Sequence, residues 1–310
     1  MFKHILLPAT GDAADAVVFD TALAASLGVP THLGFLHVRQ DPVNAAINMA
    51  GGAMDGGYGV GLLMETIERE EVVAETAARA AFAAFCQVLR LDGSAVSRPD
   101  HAMATLTVET GDEAACLIAH GRTADLVVLG RARGAEAVAL GRLQAVLGGI
   151  GRPLLIAAAH CPPSLVATIV IAWKDSAEAA RAVGAAMPFI ASARRVLVIT
   201  IGEEAAAASP SDDASRASCG RLVATLRLHN PEVSAQHVPV GQGTPVEALL
   251  AAAAEARASL LVMGGYGHGE LREMVFGGFT RSVLGGAAMP VPLFLMAQRR
   301  VQLAKVTILD

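Results

Sequence analysis

The chain has 310 residues, and its composition excludes several classes of protein. The length suits two domains, because single domains commonly contain about 100 to 150 residues. Apolar residues make up 53% of the chain, the mean hydropathy is +0.48 and the net charge is −5. This charge gives no overall basic field to attract nucleic acid, and no unbroken apolar run reaches the roughly 20 residues that span a bilayer. We therefore predict folded cores, with no nucleic-acid partner and no membrane partner.

The amino terminus and the cysteines favour a cytoplasmic location. Residues 1–8 form a short apolar run that leads into a turn, without the long apolar region of a secretory signal. The four cysteines, Cys86, Cys116, Cys161 and Cys219, are far apart and share no CxxC spacing. Free thiols are therefore expected, rather than disulfides or metal ligands. The nine histidines likewise show no convincing metal-ligand spacing.

The sequence contains an internal repeat with an offset of 163 to 164 residues. In each half, a short apolar strand is followed by a turn, an alanine-rich helical segment and a second apolar strand. The matching segments are 5–7 with 169–171, 12–26 with 176–191, and 33–38 with 196–201.

The third strands match at a smaller offset of 132, which places an insertion in the first half. Residues 107–111 correspond to 239–243, and the helical patterns after them are 114–120 and 246–256. The first half therefore has 31 more residues between its second and third strands. They include a glycine-rich stretch at 50–59 and a helical pattern at 62–91. A mobile lid and a surface loop that tolerates insertion are both compatible with this composition.

The remaining strands complete a fold of the α/β class. The fourth strands are 125–130 and 259–264, and the fifth are 153–156 and 290–293. Since parallel crossovers are right-handed, the pattern predicts two tandem doubly wound domains, each a five-stranded parallel sheet with helices on both faces. The predicted units are a first domain at 1–160 with an insertion near 41–70, a second domain at 165–298, and a tail at 299–310.

The fourth strand of the second half leads into a glycine loop. The glycines follow the pattern G-x2-G-x9-G-G-x-T from Gly264 to Thr280, and a helical segment follows at 281–284. Glycines let backbone amides approach an anion, and a helix start adds a positive dipole end. Glycines also simply turn a chain after a strand. The strand before and the helix after favour a polyphosphate ligand.

This loop and the repeat resemble the universal stress protein family, whose nucleotide-binding members carry G-x2-G-x9-G-[S/T] after strand four. The resemblance covers essentially the whole chain, once per half, and implies Rossmann-like domains of the adenine nucleotide alpha hydrolase type. It implies that the second domain binds ATP, with or without Mg²⁺. The site residues that it implies are Ala172, Trp173, Lys174, Thr200, Ile201, Gly264, Gly267, His268, Gly277, Gly278, Phe279 and Thr280.

Two positions depart from the family pattern. Gly278 replaces the usual Ser or Thr, which removes one hydroxyl from the phosphate loop, although Thr280 lies two residues later. The turn at 172–176 lacks the family's aspartate in register. Lys174 is there instead, either as a point charge for phosphate or as a solvated lysine, and Asp175 is an alternative for the aspartate's role.

The first half carries a degenerate loop, with Arg133 in place of the second glycine and a shorter segment before the next helix. We expect this half to be structural or regulatory. Three functions stay open for the chain. It is a stress-response regulator that binds an adenine nucleotide, a scaffold of the same family that binds none, or a weak ATPase. No water-positioning group for the third is visible in the sequence.

The resemblance also implies assembly. In this family the last strand commonly pairs with its counterpart in another domain, so 153–156 and 290–293 are expected to join the two halves and cover their open edges. A homodimer of the whole chain is a further expectation. The tail at 299–310 alternates apolar residues, and either adds a strand to a partner or frays.

Overall fold

The computed structural model describes residues 1–43, 57–89, 102–130, 136–202, 210–240, 243–265 and 293–297. The first half comprises β1 (His4–Pro8), α1 (Asp15–Ala25), β2 (His32–Arg39), α2 (Gly57–Leu89), β3 (Met103–Thr110), α3 (Glu113–Gly121), β4 (Leu126–Leu129), α4 (Glu136–Ile150) and β5 (Leu154–Ile156). The second half comprises β6 (Ile169–Ala172), α5 (Ala177–Ala185), α6 (Met187–Ser192), β7 (Val196–Gly202), α7 (Pro210–Arg227), β8 (Val233–Pro239), α8 (Pro245–Glu255), β9 (Leu260–Gly265) and β10 (Leu293–Ala297).

The strands form one sheet with the order β3-β2-β1-β4-β5-β10-β9-β6-β7-β8. Within each half all neighbours are parallel and the order is that of a doubly wound domain, which confirms the predicted fold class. The second half has the same parallel strand order, read inward from the opposite edge of the sheet. The two halves meet where β5 pairs antiparallel with β10, Leu155 opposite Phe294. The prediction that the fifth strands join the halves is therefore confirmed.

Strands buried on both faces explain the high apolar content. Ile5 and Leu7 of β1 face a core that α1, α2, α5, α6 and α7 cover. Leu6 faces the opposite core, which α3, α4 and α8 cover. Because side chains alternate between the two faces, such strands read as unbroken Val, Ile and Leu runs.

Three predicted boundaries are wrong for identifiable reasons. The helical segment at 176–191 is divided into α5 and α6, since Pro188 lies in the first turn of α6 and cannot continue a helix from α5. The third strand of the second half is Val233–Pro239 rather than 239–243: Pro239, which has no N–H to donate, is the last residue of this strand rather than the first. The fifth strand begins at Leu293, at the end of the predicted range.

The insertion adds length to α2, which has 33 residues against 18 in its counterpart α7. One side of α2 packs on the sheet, with Phe82 and Phe85 in edge contact with Phe35 at ring-centroid distances of 5.0 and 5.5 Å. By length and composition alone, its residues Gly61–Leu89 are apolar enough to cross a membrane. This segment contains no unbroken apolar run of roughly 20 residues, so the sequence pattern did not predict it. Most of the glycine-rich stretch at 50–59 lies outside the described residues.

Candidate functional site

The carboxyl ends of β6, β7 and β9 meet at one edge of the second domain. Ala172, the last residue of β6, pairs with Ile199 of β7 and with Met263 of β9. The helix that follows β6 lies on one face of the sheet, and the helix that precedes β9 lies on the other. The chain therefore departs in opposite directions here, and ligands of doubly wound sheets bind at such a point.

The backbone of Ile201 is directed into this crevice. The Trp173 amide donates to the Ile199 carbonyl oxygen at 2.8 Å, so Ile199 turns its backbone groups toward β6. Alternate residues of a parallel strand turn N–H and C=O toward the same neighbour, so Ile201 does the same. Since β6 ends at Ala172, no β6 residue pairs with Ile201 within the described part of the chain. Ile201 thus offers a donor and an acceptor to a ligand.

The side chains of Thr200 and Trp173 are held by neighbouring elements. Thr200 is buried, and its hydroxyl lies 3.1 Å from Nδ1 of His237 in β8. The Trp173 indole is half-buried, and its Nε1–H donates to the Ser218 hydroxyl of α7 at 3.1 Å. Trp173 is the single tryptophan of the chain. It is therefore a fixed aromatic group at the border of the crevice.

The two charged residues of the turn after β6 are exposed. Asp175 forms an ion pair with Arg221 of α7 at 3.5 Å, with both side chains mostly in solvent. An exposed pair of this kind contributes little to stability. Lys174 is also exposed, so its ammonium group can move toward an anion at the crevice.

Gly264 has a packing role that the sequence pattern did not reveal. A Cβ at this position would lie 2.7 Å from the Ala179 backbone nitrogen and 2.9 Å from the Glu178 Cβ, both in the first turn of α5. Only glycine lets the end of β9 approach that helix so closely. The first glycine of the loop is thus required by the fold, whether or not phosphate binds.

Glu178 is a buried acid that sequence reasoning missed. Its side chain is 4% exposed, and one carboxylate oxygen lies 3.3 Å from Nη2 of Arg181. The other oxygen is buried and has no hydrogen-bond partner among the residues that the structure describes. The first turn of a helix stabilises a carboxylate through the helix dipole. In the sequence Glu178 looks like an ordinary acid at a helix start, so only its contact with Gly264 draws attention to it.

The other six predicted site residues lie outside the described residues: Gly267, His268, Gly277, Gly278, Phe279 and Thr280. The structure therefore brings together Ala172, Trp173, Ile201 and Gly264 at the crevice. Thr200 contributes position rather than a free hydroxyl. Within the described ranges, no three His, Cys, Asp or Glu side chains lie together in a way that could hold a metal ion.

In the first domain the loop after β1 is anchored to α1 and α2. The Asp15 carboxylate accepts hydrogen bonds from the Thr10 amide at 3.1 Å, the Thr10 hydroxyl at 2.8 Å and the Gly11 amide at 2.8 Å. Gly11 adopts a φ of +81° and lies against the backbone of Ala74 in α2, where a Cβ would collide with the Ala74 carbonyl. The loop after β1 is therefore held in place by a buried carboxylate and by contact with α2.

His37 bonds to the backbone just after β1. It occupies the place in β2 that Thr200 has in β7, and it is 3% exposed. Its Nδ1 lies 2.7 Å from the Ala9 carbonyl oxygen, and Ala9 is the counterpart of Trp173. A backbone acceptor near the first crevice is thus already bonded inside the protein.

The protein is therefore a tandem doubly wound α/β protein whose two strand ends carry different side chains. Residues 166–293 match the sequence model of the universal stress protein family. A universal stress protein structure from Archaeoglobus fulgidus DSM 4304 is similar, with a TM-score of 0.62, 20% identity and 96% of each chain covered. A functionally unknown protein from Pseudomonas aeruginosa PAO1 is similar with a TM-score of 0.60, 14% identity and coverage of 96% of this chain and 92% of that one.

A comparison with curated protein sequences found no significant match. The second domain therefore carries the sequence signature of the universal stress protein family, and the similar structures show the same fold across both halves of the chain.

Proposed function

We propose that the second domain binds ATP or a related adenine nucleotide, and that this binding regulates a cytoplasmic stress-response protein. The observation that carries the proposal is that the N–H and C=O of Ile201 lie past the end of β6, where no described residue of β6 pairs with them. Adenine presents a hydrogen-bond donor next to an acceptor on its edge. A backbone N–H beside a C=O of the same residue matches that edge without any special side chain.

The phosphates would extend from there toward Gly264 and the loop after it. Lys174, free to move at the crevice border, would supply a positive charge. Glu178, with its buried unpaired oxygen beside Gly264, adds a negative charge to the same region. A bound polyphosphate therefore needs a counter-cation, and we propose that the nucleotide binds as its Mg²⁺ complex.

Trp173 gives a direct test of nucleotide binding. Because it is the single tryptophan and borders the crevice, its fluorescence should change on titration with ATP and Mg²⁺. We expect a saturable change that is weaker when Mg²⁺ is chelated. No fluorescence change and no calorimetric heat at millimolar ATP would overturn the proposal and favour a scaffold that binds no nucleotide.

A matched pair of proline variants tests the role of Ile201. Proline removes the backbone N–H, and at Ile201 no strand in the described part of the chain uses that group. Val38 is the counterpart in the first domain, so Val38→Pro changes the same position of the other sheet. Ile201→Pro should reduce ATP affinity by about tenfold or more, as expected for loss of one well-placed hydrogen bond. Val38→Pro should leave the affinity unchanged, and equal affinities in the two variants would remove Ile201 from the site.

Turnover is a separate question from binding. We expect at most weak ATP hydrolysis, since phosphoryl transfer needs a group that positions the attacking water, and no such group is identified among the described residues. Phosphate release measured with saturating ATP checks this. Rates that respond to Lys174→Ala would move the protein toward the ATPase alternative.

A further inference from the structure

The long helix α2 has two different apolar sides. Its inner side packs on the first domain through Ala78, Phe82 and Phe85. Its outer side faces solvent and is also apolar over several turns. Of the seven exposed large hydrophobic residues in the described part of the chain, four lie on this helix: Leu62, Val72, Val73 and Val88. Core packing does not explain that side.

Between positions 72 and 84 the outer side consists mainly of small and uncharged residues, and we call these the outer stripe: Val72, Val73, Thr76, Ala80, Ala83 and Ala84. Arg79 is the one charged exposed residue in this range, and it is ion-paired with Glu75 of the same helix. Val72 and Val73 are 51% and 65% exposed. The Thr76 hydroxyl donates to the Val72 carbonyl oxygen at 2.8 Å, so its donor is satisfied within the helix. The stripe can therefore be buried without leaving a donor unpaired.

The spacing of the outer stripe is symmetric about position 78. Val72 and Val73 lie six and five residues before this point, and Ala84 and Ala83 lie equally far after it. Thr76 and Ala80 are the inner pair. If two such helices cross antiparallel at the level of position 78, with their outer stripes in contact, each valine lies level with an alanine of the other copy. An interface between identical chains requires this kind of self-complementarity.

Charge also favours the antiparallel arrangement. Residues 62–75 contain five glutamates and one arginine, whereas residues 77–89 contain a single charged residue, Arg79. A parallel pair would place two acidic halves together, and like charges at short range are repulsive. An antiparallel pair places each acidic half beside the nearly neutral half of its partner.

We propose that the outer stripe is the interface between two copies of this chain, with the two α2 helices packed antiparallel. The pairing of β5 with β10 joins the halves of one chain, so a second copy needs a different surface. At about 1.5 Å per residue, α2 is about 50 Å long, which suits a helix pair of many turns. The counterpart helix of the second domain, α7, is 15 residues shorter.

The mass of the full chain in solution tests this interface. Light scattering after size exclusion should show a dimer for the unsubstituted chain. Ala80→Glu places a charge in the middle of the stripe and should weaken dimerisation by about tenfold or more. The matched control is Ala251→Glu, the same substitution at an exposed position of α8, which should remain dimeric. Circular dichroism should show that both variants are folded.

Cysteine cross-linking tests the orientation independently of variant stability. A mixture of Val73→Cys and Ala83→Cys chains should give a cross-linked heterodimer, above the background of the four native cysteines. Each variant alone should not cross-link through the new thiol. A monomeric unsubstituted chain, an unaffected Ala80→Glu dimer, or cross-linking of Val73→Cys with itself would overturn the proposal. So would a monomer that sediments with phosphatidylcholine vesicles, because α2 would then contact lipid instead.

Discussion

The two domains have the same strand order but treat the carboxyl ends of their strands differently. In the first domain the loop after β1 is tied to Asp15 and covered by α2, with Gly11 against Ala74. In the second domain Ala179 takes the place of Asp15, and the turn carries Lys174 and an exposed ion pair of Asp175 with Arg221. Conservation of topology within one chain therefore does not conserve a site. A few side chains and one longer helix make the two strand ends chemically different.

The largest difference in unfolding free energy between matched variants is expected at the glycines near the end of the fourth strand of each domain, Gly130 and Gly264. A Cβ at Gly264 would collide with the backbone of α5, whereas a Cβ at Gly130 would meet only the Val18 side chain at 3.2 Å. Side chains yield more easily than helix backbone. Gly264→Ala should cost about 3 kcal/mol of unfolding free energy and Gly130→Ala about 1 kcal/mol or less. Urea denaturation measures both, and equal losses would contradict the close approach of β9 to α5.

Asp15 is the next test, because it has no carboxylate counterpart in the second domain, where Ala179 takes its place. Asp15→Ala leaves the Thr10 and Gly11 amides without their acceptor. We expect a loss of about 2 to 3 kcal/mol, since charged hydrogen bonds are the strong ones. Asp12→Ala, which removes one exposed bond to the Ala14 amide, should cost about 0.5 kcal/mol. If ATP also bound to the first domain of the Asp15→Ala variant, Asp15 would be shown to prevent binding there.

A smaller loss of unfolding free energy is expected at the amino ends of the first strands, where each domain uses a different side chain to accept the backbone N–H groups. The Asp125 carboxylate accepts from the Lys3 and His4 amides at 2.8 and 3.0 Å. Its counterpart Ser259 accepts from the Thr168 amide at 3.0 Å. Asp125→Ala should therefore cost about 2 kcal/mol and Ser259→Ala about 1 kcal/mol, because a charged acceptor with two bonds contributes more. The reverse order in thermal or urea unfolding would break this equivalence.

The smallest expected effect is acid sensitivity confined to the first domain. The His4 and His32 rings are stacked with centroids 4.9 Å apart, and burial lowers the pKa of both. The charge of His4 lowers the pKa of His32 further. The unfolded chain then binds more protons than the folded one, so this contribution is complete above about pH 6.5 and declines as the pH falls.

Replacement of His4 by the residue at its counterpart position, Thr168, sharpens this comparison. His4→Thr removes one titrating ring and the neighbour that lowers the pKa of His32. The fall in unfolding free energy between about pH 7 and pH 5 should be shallower than in the unsubstituted chain. An unchanged slope would place the acid sensitivity elsewhere.

Much of the fold could be predicted from sequence because its signals are local. Apolar runs such as 5–7 and 169–171 mark buried strands, and the right-handed crossover rule turns their order into a topology. The site was only partly predictable. Trp173 and Ile201 lay in the predicted turn and strand, but nothing local showed that the Ile201 backbone points past the end of β6. The pattern suggested phosphate at Gly264, whereas the contact with α5 shows a packing requirement.

The sequence by itself determined the duplication, the parallel sheets and the site of the insertion, which follow from periodicity and spacing along the chain. The joining of the halves through their last strands was implied by the family resemblance. The tertiary structure decided that the loop after β1 packs against α2, why Gly264 must be glycine, that Glu178 is buried with one oxygen unpaired among the described residues, and that α2 keeps an outer stripe of small residues. Those properties depend on contacts between residues far apart in sequence, such as Gly11 with Ala74, and no local pattern encodes such a contact.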